Sequence, residues 1–266
     1  MTKKLKTLNL ETEIFLIVGT DTGVGKTVFS GLFARYLMDN GVGVRAVKPF
    51  CSGGKADIDF LNAAQGGLGQ EDLNFWYSDE PISPAAWELR HGQAVDFEGA
   101  VDWVKSRQWP VGSGKASLQV AGGSPQPSVL LVEGAGGLLA PLAKGKTAAS
   151  LGQALGAQLI VVSPNRVGVV NQVLLTVEAA TKRGLEVACV VLMGQNESDN
   201  SVPDNGDLIC KNLPGMTGFK GVIEFPYLGP DASDPALIPI HANKAVKTLS
   251  QVAELLALSV YSGAGD

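Results

Sequence analysis

Residues 19–30 read GTDTGVGKTVFS and follow the apolar run IFLIV of Ile14–Val18. An apolar run without alternation predicts a short strand buried on both faces. From Lys26 to Asn40, Phe29, Leu32, Phe33, Tyr36 and Leu37 recur near helical spacing, and Gly41 stands where a C-terminal glycine cap belongs. Strand, glycine-rich loop ending Gly25-Lys26-Thr27, then helix is the layout of a phosphate-binding loop. Glycines let the main chain approach an anion, and amides of the loop and helix N-terminus point at it. Lys26 would reach the β- and γ-phosphates and the Thr27 hydroxyl would sit on Mg2+. The standard spacing wants its first glycine at position 20, which is Thr20; Gly19 comes one residue early. A tight turn ahead of a helix is the simpler reading, but a turn has no need of Lys-Thr directly after Gly.

Outward from this loop, VGVRAVKPF (42–50) reads as a second strand closed by Pro49. Helices are expected over 57–64 and 97–105. Residues 106–128, rich in Gly, Ser and Pro, read as a long surface connection. SVLLVEGAGG (128–137) predicts a buried strand and a glycine-rich turn, and AQLIVVS (157–163) another buried strand. Val170, Val173, Leu174 and Val177 mark a helix ending near Arg183-Gly184. LEVACVVLM (185–193) is a further strand, ESDNSVPDNGD (197–207) a polar loop, and 220–225 a last short strand. A helix over 245–258 would turn Val246, Leu249, Val252 and Leu256 inward. Strands alternating with amphipathic helices imply an α/β fold: a mostly parallel twisted sheet with helices on both faces. Such sheets bind ligands at the carboxyl ends of their strands, where each turn discussed below lies.

The chain has 266 residues, 45% apolar and 18% charged. With no internal repeat or domain boundary, a single domain over 1–266 is expected, preceded by a tail over 1–12. A net charge of −5 leaves no nucleic-acid footprint. Three cysteines, Cys51, Cys189 and Cys210, lie far apart, and His91 and His241 are the two histidines. No Cys-x-x-Cys or His-x-x-His spacing exists, which argues against zinc, and the cysteine usage fits a reducing cytoplasm. The start, MTKKLKTLNLETE, lacks the apolar segment of a secretory signal. No apolar run reaches the roughly 20 residues of a membrane-spanning helix, so no membrane role is expected. Cys51 and the tryptophans Trp76, Trp87, Trp103 and Trp109 read as packing, and the histidines as structural or surface residues.

Other groups would complete the phosphate site. Lys48 ends its strand ahead of Ser52, Gly53 and Gly54. Alone it reads as a lysine at the wet end of a strand. Beside a phosphate loop a second ammonium has a use, because phosphoryl transfer is mostly positioning and charge neutralisation, and Ser52 would bind a substrate oxygen. Glu133 follows four apolar strand residues. It is either a solvated turn residue or a buried carboxylate that needs a cation; Mg2+ shared with Thr27 would serve, and Gly134, Gly136 and Gly137 favour close approach of a ligand. Asp57, ahead of Asp59, either N-caps a helix or serves Mg2+. NRVGVVNQ (165–172) opens a helix whose N-terminus is either ordinarily capped or holds a carboxylate.

Five stretches in this order resemble one family, the dethiobiotin synthetases, ATP-dependent enzymes of biotin synthesis. GTDTGVGKT is similar to that family's loop, early glycine included, and KPFCSGG to its Lys-Pro-x-x-Ser-Gly segment. DEPISPAAW (79–87) resembles its Glu-Pro-x-Ser-Pro segment, and VEGAGGLLAPL (132–142) follows its pattern throughout. NRVGVVNQVLLTVEAATKRGL (165–185) resembles its Leu-Gly-x-Ile-Asn-His-x-Leu-Leu-Thr helix start, with Val167 for Leu and Gln172 for His. The resemblance spans about 14–228; each motif is moderately specific, and five in order strongly so.

The resemblance implies a P-loop α/β fold, a homodimer, and the substrates 7,8-diaminopelargonic acid, CO2 and ATP. An amine captures CO2 as a carbamate, the γ-phosphate activates it as a mixed anhydride, and the second amine closes the ureido ring and releases phosphate. Carried over by motif, Lys26 and Lys48 stabilise the phosphoryl group, Thr22 and Ser52 contact carbamate or phosphates, and Thr27, Asp57 and Glu133 serve Mg2+. Nucleotide contacts are expected from Gly23, Val24, Gly25, Thr27 and Val28; from Gly134, Ala135 and Gly136; from Met193 and Gly194; and from Pro226, Tyr227 and Leu228. Gly168, Val169, Val170 and Asn171 would receive the substrate's carboxylate tail across the dimer interface.

Two positions depart from the family. Gly23 stands where it often has an acid. Met193 stands where it usually has the asparagine that reads the adenine edge, and Met cannot donate or accept in that way; Gln195 or Asn196 would have to substitute. The alternative is a ParA/MinD-like regulatory ATPase. Those proteins carry a lysine five residues before the loop lysine, where this chain has Asp21, and Lys244 and Lys247 are too few for a basic membrane anchor.

Overall fold

The computed structural model describes residues 12–107, 128–213 and 215–258. Nearly all of the expected tail, most of the connection expected over 106–128, and Trp109 lie outside them. The chain opens with β1 (Glu13–Gly19), α1 (Lys26–Asp39) and β2 (Gly43–Val47), then β3 (Phe50–Ser52), α2 (Ala56–Ala64), β4 (Trp76–Ser78), α3 (Pro84–His91) and α4 (Phe97–Ser106). There follow β5 (Ser128–Gly137), β6 (Pro141–Ala143), β7 (Lys146–Thr147), α5 (Ala148–Leu155), β8 (Gln158–Pro164) and α6 (Val169–Thr181). β9 (Val187–Met193), α7 (Val202–Asn212), β10 (Gly221–Phe225) and α8 (Ile238–Leu255) complete it. Among the described residues no helix is long and apolar enough to cross a membrane.

Period-two alternation explains why the strands are apolar throughout. In β1, Phe15 and Ile17 pack with Phe29, Leu32 and Phe33 of α1 and Leu249 and Val252 of α8. Leu16 and Val18 pack on the other face with Leu151 of α5 and Val173 and Val177 of α6. Each such side chain contributes about 1.5–3 kcal/mol by leaving water, so the chain settles as one sheet between two helical layers. The six strands are parallel in the order β10-β9-β8-β1-β5-β2. α1 carries the chain from β1 past β5 to the edge strand β2, whereas β8 lies on the opposite side of β1. The order therefore reverses at β1, and the loop leaving β1 opens on the crevice where α/β sheets bind ligands.

Several expected boundaries move. The strand expected over 42–50 stops at Val47, and Phe50–Ser52 pairs instead with Trp76–Ser78 in a separate two-stranded sheet. Pro49 lacks the N–H that would continue the ladder, so the chain leaves the main sheet there. The glycine-rich turn after Glu133 remains strand to Gly137; Ile17 pairs with Glu133 and Gly19 with Gly137, so Gly134–Gly136 bulge against the single residue Val18. Part of the polar loop expected over 197–207 is the first half of α7. Its Asn205 and Ile209 are buried, one turn apart, under a polar outer face. The helix expected over 245–258 begins at Ile238 and buries Ala245 rather than Val246, which is exposed. Asp57 lies in the first turn of α2, whose N-cap position is Lys55, so it does not cap the helix.

Candidate functional site

The early glycine has a steric reason. A Cβ on Gly19 would lie 2.4 Å from the Asp21 carbonyl oxygen and 3.0 Å from Lys26 Nζ. The loop folds back over Gly19, and Lys26 Nζ crosses it to donate to Asp21 O at 3.2 Å. Gly23 and Gly25 have φ of +72° and +97°, which glycine adopts without penalty. Gly25 takes the N-cap position of α1 with no side-chain cap, so the first amides of α1 are left for an anion. Thr20 Oγ1 and Ser163 Oγ, 2.7 Å apart, tie the loop to the end of β8. Thr22 is exposed at the tip, and its N–H donates to Asp21 Oδ1 at 2.7 Å.

The charged side chains of Lys48, Asp57 and Glu133 meet beside the phosphate loop. Glu133 continues the face of Val129 and Leu131, which puts its carboxyl under the first turn of α1. There Oε1 accepts from Thr27 Oγ1 at 2.7 Å and from Lys48 Nζ at 2.7 Å. Lys48 Nζ also pairs with Asp57 Oδ2. Its backbone is pinned from both sides: its N–H donates to Leu73 O at 2.8 Å, and Asn74 Nδ2 donates to its carbonyl at 2.8 Å. Lys48, Lys26 and Glu133 are all buried. Burial works against the Lys48 ammonium, but Glu133 and Asp57 outweigh it and hold its pKa above the ordinary lysine value. Burial dominates at Lys26 and lowers its pKa; Glu133 opposes this and the Lys48 charge adds to it. Burial raises Asp57, yet Lys48, helped by Thr27 and Lys26, brings its carboxyl below the usual range. Lys26 is thus a desolvated cation within the field of Lys48, a place an anion would stabilise.

Glu133 Oε2 is buried with no hydrogen-bond partner. An orphan carboxylate oxygen beside a hydroxyl and a second carboxylate fits a hard cation. Among the described residues no group of three or more His, Cys, Asp or Glu forms a cage. Two carboxylates and a hydroxyl instead suit Mg2+, which keeps waters and shares substrate phosphates rather than filling an all-protein site. Asp59 is exposed and holds Gln70 Nε2 at 2.8 Å, away from this cluster. Ser52 ends β3, half-buried, and Gly53 N–H donates to Ser78 O at 3.0 Å beside it.

Beyond the loop the other expected contacts separate into two places. A cleft of about 350 Å3 is lined by Asn165, Gly194, Gln195, Pro226 and Tyr227, among others. Met193 and Leu228 are buried beside it; the Met193 side chain packs toward Gly25, whose Cβ would lie 3.0 Å from Met193 Cε. α6 starts at Val169 with Gly168 at its N-cap in the left-handed region, φ +88°, and no side-chain cap. Val167 N–H, just before it, donates to Asp199 Oδ2 at 2.7 Å. Asn171 is exposed and Val170 half-buried. Of the histidines, His91 pairs with Glu80 at 2.9 Å and His241 is buried in α8. The link of Asp199, Ser201 and Asn205 to Asn165 was not legible, because its members lie in a stretch whose composition reads as loop.

A family model described as "AAA domain" matches residues 13–229. The ATP-dependent dethiobiotin synthetase BioD of Corynebacterium glutamicum (strain R) is 32% identical over 81% of this chain and 86% of its own length. That of Anaeromyxobacter sp. (strain Fw109-5) is 36% identical over 71% and 80%, and that of Bacillus subtilis (strain 168) 30% identical over 76% and 83%. Among solved structures, the MinC:MinD cell division protein complex of Aquifex aeolicus matches with a TM-score of 0.53 at 12% identity, covering 94% of this chain and 98% of that one. An ATP complex of Cyanothece McdA matches with 0.51 at 13% identity, covering 94% and 98%. At such identities the likeness is one of fold. Identity of 30% to 36% over most of the chain, on a site whose lysines and carboxylates converge, is kinship: this chain belongs to the ATP-dependent dethiobiotin synthetases, a family of P-loop ligases.

Proposed function

We propose that this chain carboxylates one amine of 7,8-diaminopelargonic acid with CO2 and closes the ureido ring using ATP, giving dethiobiotin, ADP and phosphate. The amine attacks CO2 and loses a proton to become a carbamate. A carbamate oxygen takes the γ-phosphoryl group as the bond to ADP breaks. The second amine then attacks the carbonyl carbon, and phosphate leaves with the activated oxygen. The amines and the carbamate supply the nucleophiles, so the main demand on the protein is to stabilise anions. The observation that carries the reading is the second buried ammonium: Lys48 is buried against Glu133, the same carboxylate oxygen that accepts from Thr27 of the phosphate loop. ATP hydrolysis alone has no evident need of a lysine delivered from a separate strand.

Each residue has a task in this reading. Lys26 and the loop amides of Gly23–Thr27 hold the phosphates, and Lys48 neutralises the charge that spreads over the transferring group. Thr27, Asp57 and Glu133 would hold Mg2+, which supplies charge neutralisation at the β- and γ-phosphates. Thr22 and Ser52 hold the carbamate. The N-terminus of α6, Gly168–Asn171, takes the carboxylate tail. A homodimer and a cytoplasmic setting belong to the same proposal. The ParA/MinD-like reading shares the fold but leaves Lys48 and Ser52 without a task.

The test is to combine purified protein with ATP, Mg2+, bicarbonate and diaminopelargonic acid and to look for dethiobiotin by mass spectrometry. ADP release that requires the diamine is expected; diamine-independent hydrolysis without product would overturn the reading. Lys48→Ala is expected to keep ATP binding within a few-fold and to lose about 100- to 1,000-fold in turnover. Unchanged turnover would remove Lys48 from the mechanism.

A further inference from the structure

Two side-chain amides line the cleft at the carboxyl ends of β8 and β9, and each is held in one orientation. Gln195 Nε2 donates to Met193 O at 2.8 Å and to Gly194 O at 3.1 Å. Both partners are carbonyls, which only the NH2 end of an amide can satisfy, so Gln195 keeps Oε1 as a spare acceptor. Asn165 is oriented from behind by a relay. The Ser201 hydroxyl donates its one proton to the Asp199 carboxylate at 2.5 Å. It must then accept from Asn205 Nδ2, 3.1 Å away, which fixes the NH2 end of Asn205 on that side. The same NH2 donates to Asn165 Oδ1 at 2.8 Å. Asn165, a buried residue that lines the cleft, is left with Nδ2, a donor with no partner among the described residues. Met193, where a base-reading amide is expected, turns its side chain to Gly25.

We infer that Asn165 and Gln195 together read the base of the nucleotide, Gln195 Oε1 accepting from a 6-amino group and Asn165 Nδ2 donating to N7. The inference rests on the ATP-dependent reading above and adds its selectivity. Adenine offers one donor and one acceptor on that edge, whereas guanine offers two acceptors, O6 and N7. GTP would set its O6 against Gln195 Oε1 with no proton between them. Two amides on adjacent strand ends thus do what one bidentate asparagine does elsewhere, and Ser201 is a positioning residue that never touches the nucleotide.

Calorimetric titration with ATP, GTP, 7-deaza-ATP and purine riboside triphosphate, all with Mg2+, tests this. The unaltered protein is expected to prefer ATP to GTP by about 5- to 150-fold. Asn165→Ala should weaken ATP but make no further difference to 7-deaza-ATP, which lacks the N7 acceptor. Gln195→Ala should do the same toward the analogue lacking the 6-amino group. Ser201→Ala, half-buried and outside the cleft lining, should cut the ATP-over-GTP ratio by weakening ATP while leaving 7-deaza-ATP unaffected; it keeps the test open if Asn165→Ala does not fold. Equal affinity for ATP and GTP, or additive losses in the paired comparisons, would overturn the base reading and leave the proposed function standing. No nucleotide binding at all would overturn both.

Discussion

Glu133 is 1% exposed, and one of its oxygens accepts from both Lys48 and Thr27. Lys48 divides its charge between Glu133 and Asp57, whose side chain is 45% exposed. Water can serve Asp57 when the ammonium is removed; it cannot reach Glu133. Breaking a buried pair by deleting one partner is costly because the other charge stays behind. Lys48→Ala is therefore expected to lower the unfolding free energy by about 3 kcal/mol. Adding Glu133→Gln should recover most of that loss, since a neutral amide needs no cation, and adding Asp57→Asn should recover little. Urea denaturation of the three variants checks the asymmetry; equal recovery by both second substitutions would show that the strain does not reside on Glu133.

At the scale of elements, the phosphate loop is held by contacts that a Cβ would break. Gly19 has no left-handed φ; its glycine is required by space, because Asp21 O would sit 2.4 Å from an added Cβ and Lys26 Nζ 3.0 Å. Gly19→Ala must push the loop off β1 and move the lysine with it. A loss of about 1–3 kcal/mol in stability, typical of overpacking, is expected together with at least a tenfold weaker affinity for ATP, read by denaturation and calorimetry. Unaltered affinity would mean that Lys26 does not depend on that crossing. The same loop explains what the sequence makes legible. β1 and β9 announce themselves because burial on two faces makes them apolar throughout, and α1 because its large apolar residues recur near helical spacing. Glu133 announces a cation because a carboxylate closing an apolar run needs one. That Lys48 stands against Glu133 even with Mg2+ expected there is not written locally, since it depends on β2 pairing with β5. The break at Pro49 and the helix hidden in SVPDNGD escape for a related reason: β3 exists only through its partner β4, and α7 buries Asn205 and Ile209 beneath a polar face.

At the scale of the whole molecule, the sheet and its two helical layers match the MinD frame closely enough to show that the fold alone does not select the reaction. What distinguishes this chain lies at the strand ends and on α6. Val167 is 75% exposed and Leu175 58% exposed. The exposed Asn171 and Leu175, four residues apart, share one side of α6, and Val167 stands just ahead of the helix start. An apolar edge beside a proposed carboxylate-binding helix start is accounted for if a second copy covers it about a two-fold axis, bringing Asn171 toward the partner's phosphate loop. Sedimentation should then give twice the 27.7 kDa chain mass. A two-fold interface uses Leu175 twice, so Leu175→Asp removes two buried side chains of about 1.5–3 kcal/mol each and should weaken the dimer by at least about 100-fold. The nucleotide site is built within one chain and the tail site would span two. The monomeric variant should therefore bind ATP as before while its KM for the diamine rises steeply. Equal loss for both substrates would point to misfolding, and a diamine KM unchanged in a proven monomer would confine the whole reaction to a single chain.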